Sequence, residues 1–164
     1  MPEKKTIEKA KQAKRSGKSP STQAGEFVRE EMHHIREGKH GARSTKQAIA
    51  IGLSKARRSG VDLPPPKRGR VSERTRRSAD RAYQAGRRRR PTSAARSGAR
   101  RRALKREGRS AASRKELSKQ ARSAARRRTR MERSAAARRA ARTKGRRGRS
   151  AAARKAARRR QRRG

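Results

Sequence analysis

The chain contains no cysteine and no tryptophan, and it has one phenylalanine, Phe27, and one tyrosine, Tyr83. Without cysteine there is no disulfide framework and no thiolate metal site. With so few aromatics, the stacking platforms of RNA-recognition sheets and oligonucleotide-binding barrels are excluded. Large aliphatic residues are also scarce: Leu, Ile, Val and Phe together number 12 of 164 residues. That lies far below the ~20% at which a highly charged chain reads as disordered. No stretch approaches the ~18 apolar residues of a membrane span. Residues 1–18 are lysine-rich without an apolar run, which argues against a secretory signal, and Glu3 and Glu8 run against the acid-poor composition of transit peptides.

What is present is positive charge. Lys and Arg number 56 against 12 Asp and Glu, a formal net charge of +44. The charge is unevenly spread. Residues 1–66 hold 15 basic and 7 acidic residues, a net of +8, whereas residues 67–164 hold 41 and 5, a net of +36. The apolar fraction is mostly alanine, which buries too little area to offset chain entropy in the usual accounting. Composition therefore predicts a mostly disordered chain with α-helical segments. It divides into a Lys-rich flexible leader over residues 1–21, a small helical hairpin within 22–63, and a disordered Arg/Ala/Ser/Gly-rich basic tail over 64–164.

The hairpin, expected over about residues 24–60, rests on pattern. Val28, Met32 and Ile35 recur at helical spacing beside Phe27, and Gly38 follows as a stop. Ser44 and Gln47 have the spacing of a capping box ahead of a second helix carrying Ala48, Ile49, Ile51, Leu53 and Ala56. Arg57 and Arg58 suit the negative end of that helix, Gly60 suits its C′ position, and Val61 is placed to pack back on Ala56. Pro64, Pro65 and Pro66 forbid continuation. The expected packing residues are Val28, Met32, Ile35, Ile49 and Leu53, serving a small core or a seam between two copies of the chain.

The tail is repetitive. Residues 133–148, RSAAARRAARTKGRRG, and 149–164, RSAAARKAARRRQRRG, agree at 12 of 16 positions, the mark of a tandem duplication. Alanine and arginine both favour helix, and each repeat places a serine ahead of its Ala/Arg run as a natural cap. Arg138 and Arg142, four apart, repel one another. Weak helices that strengthen when phosphates neutralise the arginines are expected, broken into short rods at Gly145 and Gly148.

The stretch from Gly38 to Gly60, GKHGARSTKQAIAIGLSKARRSG, resembles the core of a bacterial family of short basic proteins known only as a domain of unknown function. The resemblance rests on the Lys-His-Gly turn at Lys39–Gly41 and on the helix from Gln47 to Arg57, and it covers roughly residues 24–63. It implies a bacterial origin and transfers no activity and no catalytic residue. Separately and more loosely, the Arg/Ala/Ser composition of the tail resembles histone H1-like and protamine-like basic tails, although arginine replaces the lysine of such tails and regular Ala-Lys-Pro units are missing.

These readings converge on phosphate. Each Lys or Arg that neutralises a nucleic-acid phosphate releases condensed counterions, and arginine adds bidentate hydrogen bonding. The candidate nucleic-acid-binding residues are Arg87, Arg88, Arg89 and Arg90; Arg100, Arg101 and Arg102; Arg126, Arg127 and Arg128; Arg138, Arg139 and Arg142; Arg146 and Arg147; and Arg158, Arg159 and Arg160. Groove reading by a helix-turn-helix is disfavoured: the second helix offers Lys46, Lys55, Arg57 and Arg58, but it also carries the best apolar face and no third helix is expected. Metal binding is disfavoured because adjacent His33 and His34 point about 100° apart on a helix. Glu30, Glu31 and Glu37 are expected to pair with Arg29, Arg36 and nearby lysines. No nucleophile–base constellation, cofactor motif or catalytic residue stands out, and Gly38–Gly41 is too short for a phosphate-binding loop.

The sequence thus predicts a non-enzymatic, histone-like, nucleoid-associated cytoplasmic protein that binds and compacts DNA without sequence specificity. No cofactor, no metal and no membrane partner is expected, and the hairpin is the expected seam of any homo-oligomer. The alternatives are an RNA- or ribosome-associated basic protein, and a protein-interaction hairpin whose basic tail only localises it. Membrane-surface binding ranks last, because the tail lacks a bulky apolar face.

Overall fold

A computed structural model describes residues 2–88 and 93–161 of the chain. Contacts divide the chain into two compact units, Met1–Gln120 and Ala121–Gly164. In order, the elements are α1 (Lys4–Arg15), α2 (Pro20–Arg36), α3 (Thr45–Arg58), α4 (Glu73–Arg87), α5 (Ala94–Lys105), a 3-10 turn at Ser110–Ala112, α6 (Arg114–Arg126) and α7 (Arg130–Gln161). There is no strand among the described residues.

Local chemistry accounts for most of the boundaries. Pro20 opens α2, where its missing N–H costs nothing. The Ser44 hydroxyl accepts from the Gln47 amide at 3.2 Å, and Gln47 Oε1 accepts from the Arg43 amide at 2.7 Å, so the box closes on the residue before the cap. Ser72 accepts from the Thr75 amide, and Ser113 from the Glu116 amide. Thr129 and Glu132 cap reciprocally: the Thr hydroxyl accepts from the Glu132 amide and Glu132 Oε2 from the Thr129 amide. The helix after Ser44 ends as its sequence requires, with Gly60 at φ 84 and the Val61 amide returning to the Ala56 carbonyl at 3.1 Å.

The core of the first unit has two parts. One joins Met32 and Ile35 of α2 with Ala42, Ala48 and the turn residues Ala111 and Ala112, and Val28, Ile49 and Leu117 pack against it. The other joins Ala10 of α1, Ala24 and Phe27 of α2, Ala56 and Val61, with Ile7, Leu53 and Leu63 alongside. All five expected hairpin residues therefore lie in or against a core, with α1, the 3-10 turn and Leu117 of α6 supplying cover from the same chain.

The expectation of a mostly disordered chain is overturned. The leader holds α1, whose Thr6, Ala10 and Ala13 are buried. The third helix held to be missing is present, because α4 packs on α3 and buries Ala79, Ala82 and Gly86. The physical reason is small-residue packing. A Cβ on Gly52 would lie 2.7 Å from the Val28 Cα, and one on Gly86 would lie 1.9 Å from the Arg57 carbonyl oxygen. Helix backbones pressed this closely gain dispersion contacts that a count of Leu, Ile, Val and Phe does not register. Chain segments distant in sequence are tied in by polar bonds as well. Thr45 Oγ1 donates to the Ala111 carbonyl at 2.7 Å, Arg36 Nε to the Ala112 carbonyl at 2.9 Å, and the Gly41 amide to the Leu104 carbonyl at 2.9 Å.

In the second unit, alanine and arginine sustain one long helix, α7, interrupted only at Gly145, which has φ 62 and ψ 178. The sequence placed breaks at both Gly145 and Gly148, but Gly148 continues the helix. The second repeat has Gln161 where the first has Gly145.

Candidate nucleic-acid interface

Helix ends and exposed helix surfaces carry the candidate arginines. Arg87 closes α4 and Arg88 caps it, with the Arg87 guanidinium 5.7 Å over the Tyr83 ring. Arg100, Arg101 and Arg102 lie on α5, which buries no residue. Arg126 ends α6, and Arg127 and Arg128 link it to α7. Arg138, Arg139, Arg142, Arg158 and Arg160 lie along α7, and all of these side chains are exposed. Arg146, Arg147 and Arg159 fall within α7, while Arg89 and Arg90 lie outside the described residues. Residues 121–164 contain 20 Lys and Arg against one acidic residue, Glu132, a net of +19.

The second hairpin helix lacks the cationic face a groove reader needs. Arg57 is buried, and its Nε and guanidinium donate to the carbonyls of Leu63 (2.9 Å) and Pro64 (3.4 Å). Burial also lowers its pKa from the usual value. Lys55 is spent on buried carboxylates, at 2.6 Å from Glu31 Oε2 and 3.7 Å from Glu30 Oε1. Only Lys46 and, in part, Arg58 of the four expected cations remain toward solvent.

Glu30, Glu31 and Glu37 pair with lysines, as expected in part, but not with Arg29 or Arg36. Arg29 pairs with Glu26, Arg36 serves the Ala112 carbonyl, and Glu37 pairs with Lys39. Glu30 and Glu31 instead face inward, with side chains 3% and 0% exposed. Around them gather Lys55 from α3, His34 from α2, His40 from the turn after α2 and Glu3 from the segment before α1. His40 Nε2 lies 3.3 Å from Glu31 Oε1, and its Nδ1 lies 3.1 Å from the Gly41 carbonyl. His34 Nε2 lies 2.8 Å from Glu3 Oε1 and 3.9 Å from Glu30 Oε1. The bond from His34, and after it the one from Lys39, holds the Glu3 carboxyl below its usual pKa, while Lys39 is held above its own, chiefly by Glu37. Ligand-type atoms of Glu31, His34 and His40 all lie within 4.8 Å of one another. The adjacent pair His33 and His34 does not converge; His34 meets His40. The signal for this was legible: Glu31 and His34 share a helix face at i, i+3, and a glycine turn after the helix returns the next histidine. Beside this cluster, Lys39, Lys105 and Arg109 give the first unit a basic recess lined also by Gly38, His40, Gly41 and Glu107.

Comparison with known proteins bears on the first unit alone. The sequence model of a family of unknown function (DUF6496) matches residues 11–68. The match bears out the resemblance to a domain without assigned biochemistry and extends it from the hairpin into α1. No curated protein and no solved structure matches the chain. No helix among the described residues is long and apolar enough to cross a membrane.

Proposed function

We propose that this protein is a histone-like, non-enzymatic DNA-binding protein of the nucleoid, which neutralises backbone phosphates and compacts duplex DNA without reading its sequence. The observation that carries the proposal is α7. It is an arginine-rich helix in which every described arginine side chain is exposed, within a unit of net charge +19. From Arg130 to Arg142 five arginines ride on about 20 Å of helix, alongside a duplex that presents a phosphate about every 1.7 Å. Arginine at this density favours counterion release, and the break at Gly145 lets the two halves of α7 follow a curved path. Sequence readout has little support: α3 lacks a free basic face, and the near-absence of aromatics removes base stacking.

The first compact unit would then be a scaffold that presents the arginine helices. The test is duplex binding as a function of salt, comparing the full chain with one ending at Gln120. If half of the 20 cations of residues 121–164 meet phosphate, log K should fall with log salt at a slope near −9, about −0.9 per phosphate. The shortened chain should lose most of that slope, and scrambling the duplex sequence should change little. A shallow slope for the full chain, or affinity retained by the shortened chain, would refute the proposal. Preference for structured RNA over duplex DNA at matched salt would reassign the target.

A further inference from the structure

We propose that Glu31, His34 and His40 form a site for a divalent transition-metal ion, zinc(II) being the best fit to the donor set. Three observations carry the assignment. The first is convergence: one carboxylate and two imidazoles, from α2 and the turn that follows it, bring their ligand atoms within 4.8 Å of one another. Zinc held by nitrogen and oxygen at about 2.0–2.2 Å needs its ligands about 3.4 Å apart. The cluster must therefore contract by an ångström or so, and His40 sits on a turn that can supply the movement.

The second is the His40 tautomer. A backbone carbonyl only accepts hydrogen bonds, so the contact from His40 Nδ1 to the Gly41 carbonyl places a proton on Nδ1. In the neutral ring, Nε2 then carries a lone pair directed into the cluster, 3.3 Å from a carboxylate oxygen of Glu31. Two such atoms facing one another at that distance are placed to share a cation, either a proton or a metal ion. Fixing one ring nitrogen on a backbone carbonyl so that the other can ligate is the usual support for metal-binding histidine.

The third is buried negative charge. Glu30 and Glu31 are almost wholly enclosed; Lys55 lies 2.6 Å from Glu31 Oε2 and His40 Nε2 3.3 Å from Glu31 Oε1, while Glu30 Oε2 is buried without a hydrogen-bond partner. Among the described residues Lys55 is the one ammonium that reaches both carboxylates, a single lysine against two buried acids. In a chain of net charge +44 this is a local gathering of carboxylate, and a bound divalent cation would offset its charge. Glu3, half-exposed, holds His34 Nε2 in a hydrogen bond, so for that nitrogen to ligate the bond must open and Nε2 must lose its proton to solvent.

The test titrates zinc(II), and separately cobalt(II), into the full chain at neutral pH, by calorimetry, melting temperature and visible absorption. One equivalent should bind, raise the melting temperature and give cobalt(II) the intense visible bands of four-coordination. His34→Gln and His40→Gln should each weaken binding by about tenfold or more, since even outer partners of such ligands cost that much. His33→Gln, on the exposed side of α2, should bind like the parent, and far-ultraviolet circular dichroism establishes that each variant is folded. Absence of binding at one equivalent, or binding that survives both His34→Gln and His40→Gln, overturns the proposal. So does equal weakening by His33→Gln.

Discussion

Replacing Gly86 by alanine gives a sign-reversing test of the packing of α4 on α3. In an exposed helix this change stabilises by about 1 kcal/mol, because glycine is the poorer helix former. Here a Cβ would sit 1.9 Å from the Arg57 carbonyl oxygen, 2.9 Å from the Arg57 carbonyl carbon and 3.2 Å from the Arg58 Cα. None of these atoms can rotate away. The helices must separate by more than an ångström, loosening buried Ala79 and Ala82 and straining the bond from the Tyr83 hydroxyl to Asp62. Overpacking of this kind costs about 1–3 kcal/mol, and a clash with main chain belongs at the upper end. After subtracting the propensity gain, a net loss of about 1–2 kcal/mol is expected, or a fall in melting temperature of about 3–10 °C for a unit of this size. Gly98→Ala in α5 is the control, since its Cβ would meet only the Arg102 guanidinium at 3.7 Å. It should leave the melting temperature unchanged or raise it slightly. Thermal unfolding followed by circular dichroism at fixed salt measures both. If Gly86→Ala stabilises as Gly98→Ala does, α4 is not packed on α3 and the reasoning fails.

Three further outcomes are expected. Ser44→Ala removes the cap of α3 and should cost about 1 kcal/mol in a denaturant titration; no change would mean that the Gln47 contact alone holds this end. Arg57→Met keeps the aliphatic stem but strands the carbonyls of Leu63 and Pro64, and should cost about 1–3 kcal/mol; a stabilised variant would show that burying the guanidinium outweighs its bonds. Glu73, hydrogen-bonded first to Arg76 and then to Arg77, has its pKa lowered from 4.5 to about 2. A depressed carboxylate stabilises the fold above its unfolded pKa and loses that contribution as pH falls through the folded value. The support Glu73 gives α4 should therefore be complete above pH 4.5, decline steadily below it and be lost near pH 2, and a carboxyl NMR titration with an ordinary midpoint would contradict it.

Much of the local structure was legible. The capping box at Ser44, the stop at Gly60, the return of Val61 onto Ala56 and the apolar spacing of Phe27, Val28, Met32 and Ile35 all follow from short-range chemistry, and all appear in the fold. The arginines singled out for phosphate binding are exposed wherever their side chains are described. Illegible were α1, the packing of α4 and the docking of Ala111 and Ala112 on the hairpin. Each depends on alanine or glycine at a close approach, and such residues carry no signal of burial until the opposing backbone is in place.

The sequence by itself determined the charge, its concentration toward the C-terminal half, and the helical habit of an Ala/Arg chain, because these depend on composition and neighbours only a few residues apart. Only the tertiary structure decided that the chain is packed rather than disordered. Whether alanines and glycines form a core depends on the separation of helices distant in sequence. The same is true of the cluster at Glu31. His40 and Lys55 reach its carboxylate from separate segments while Glu3 meets the neighbouring His34, and only the folding of α3 and the leader over α2 brings them together.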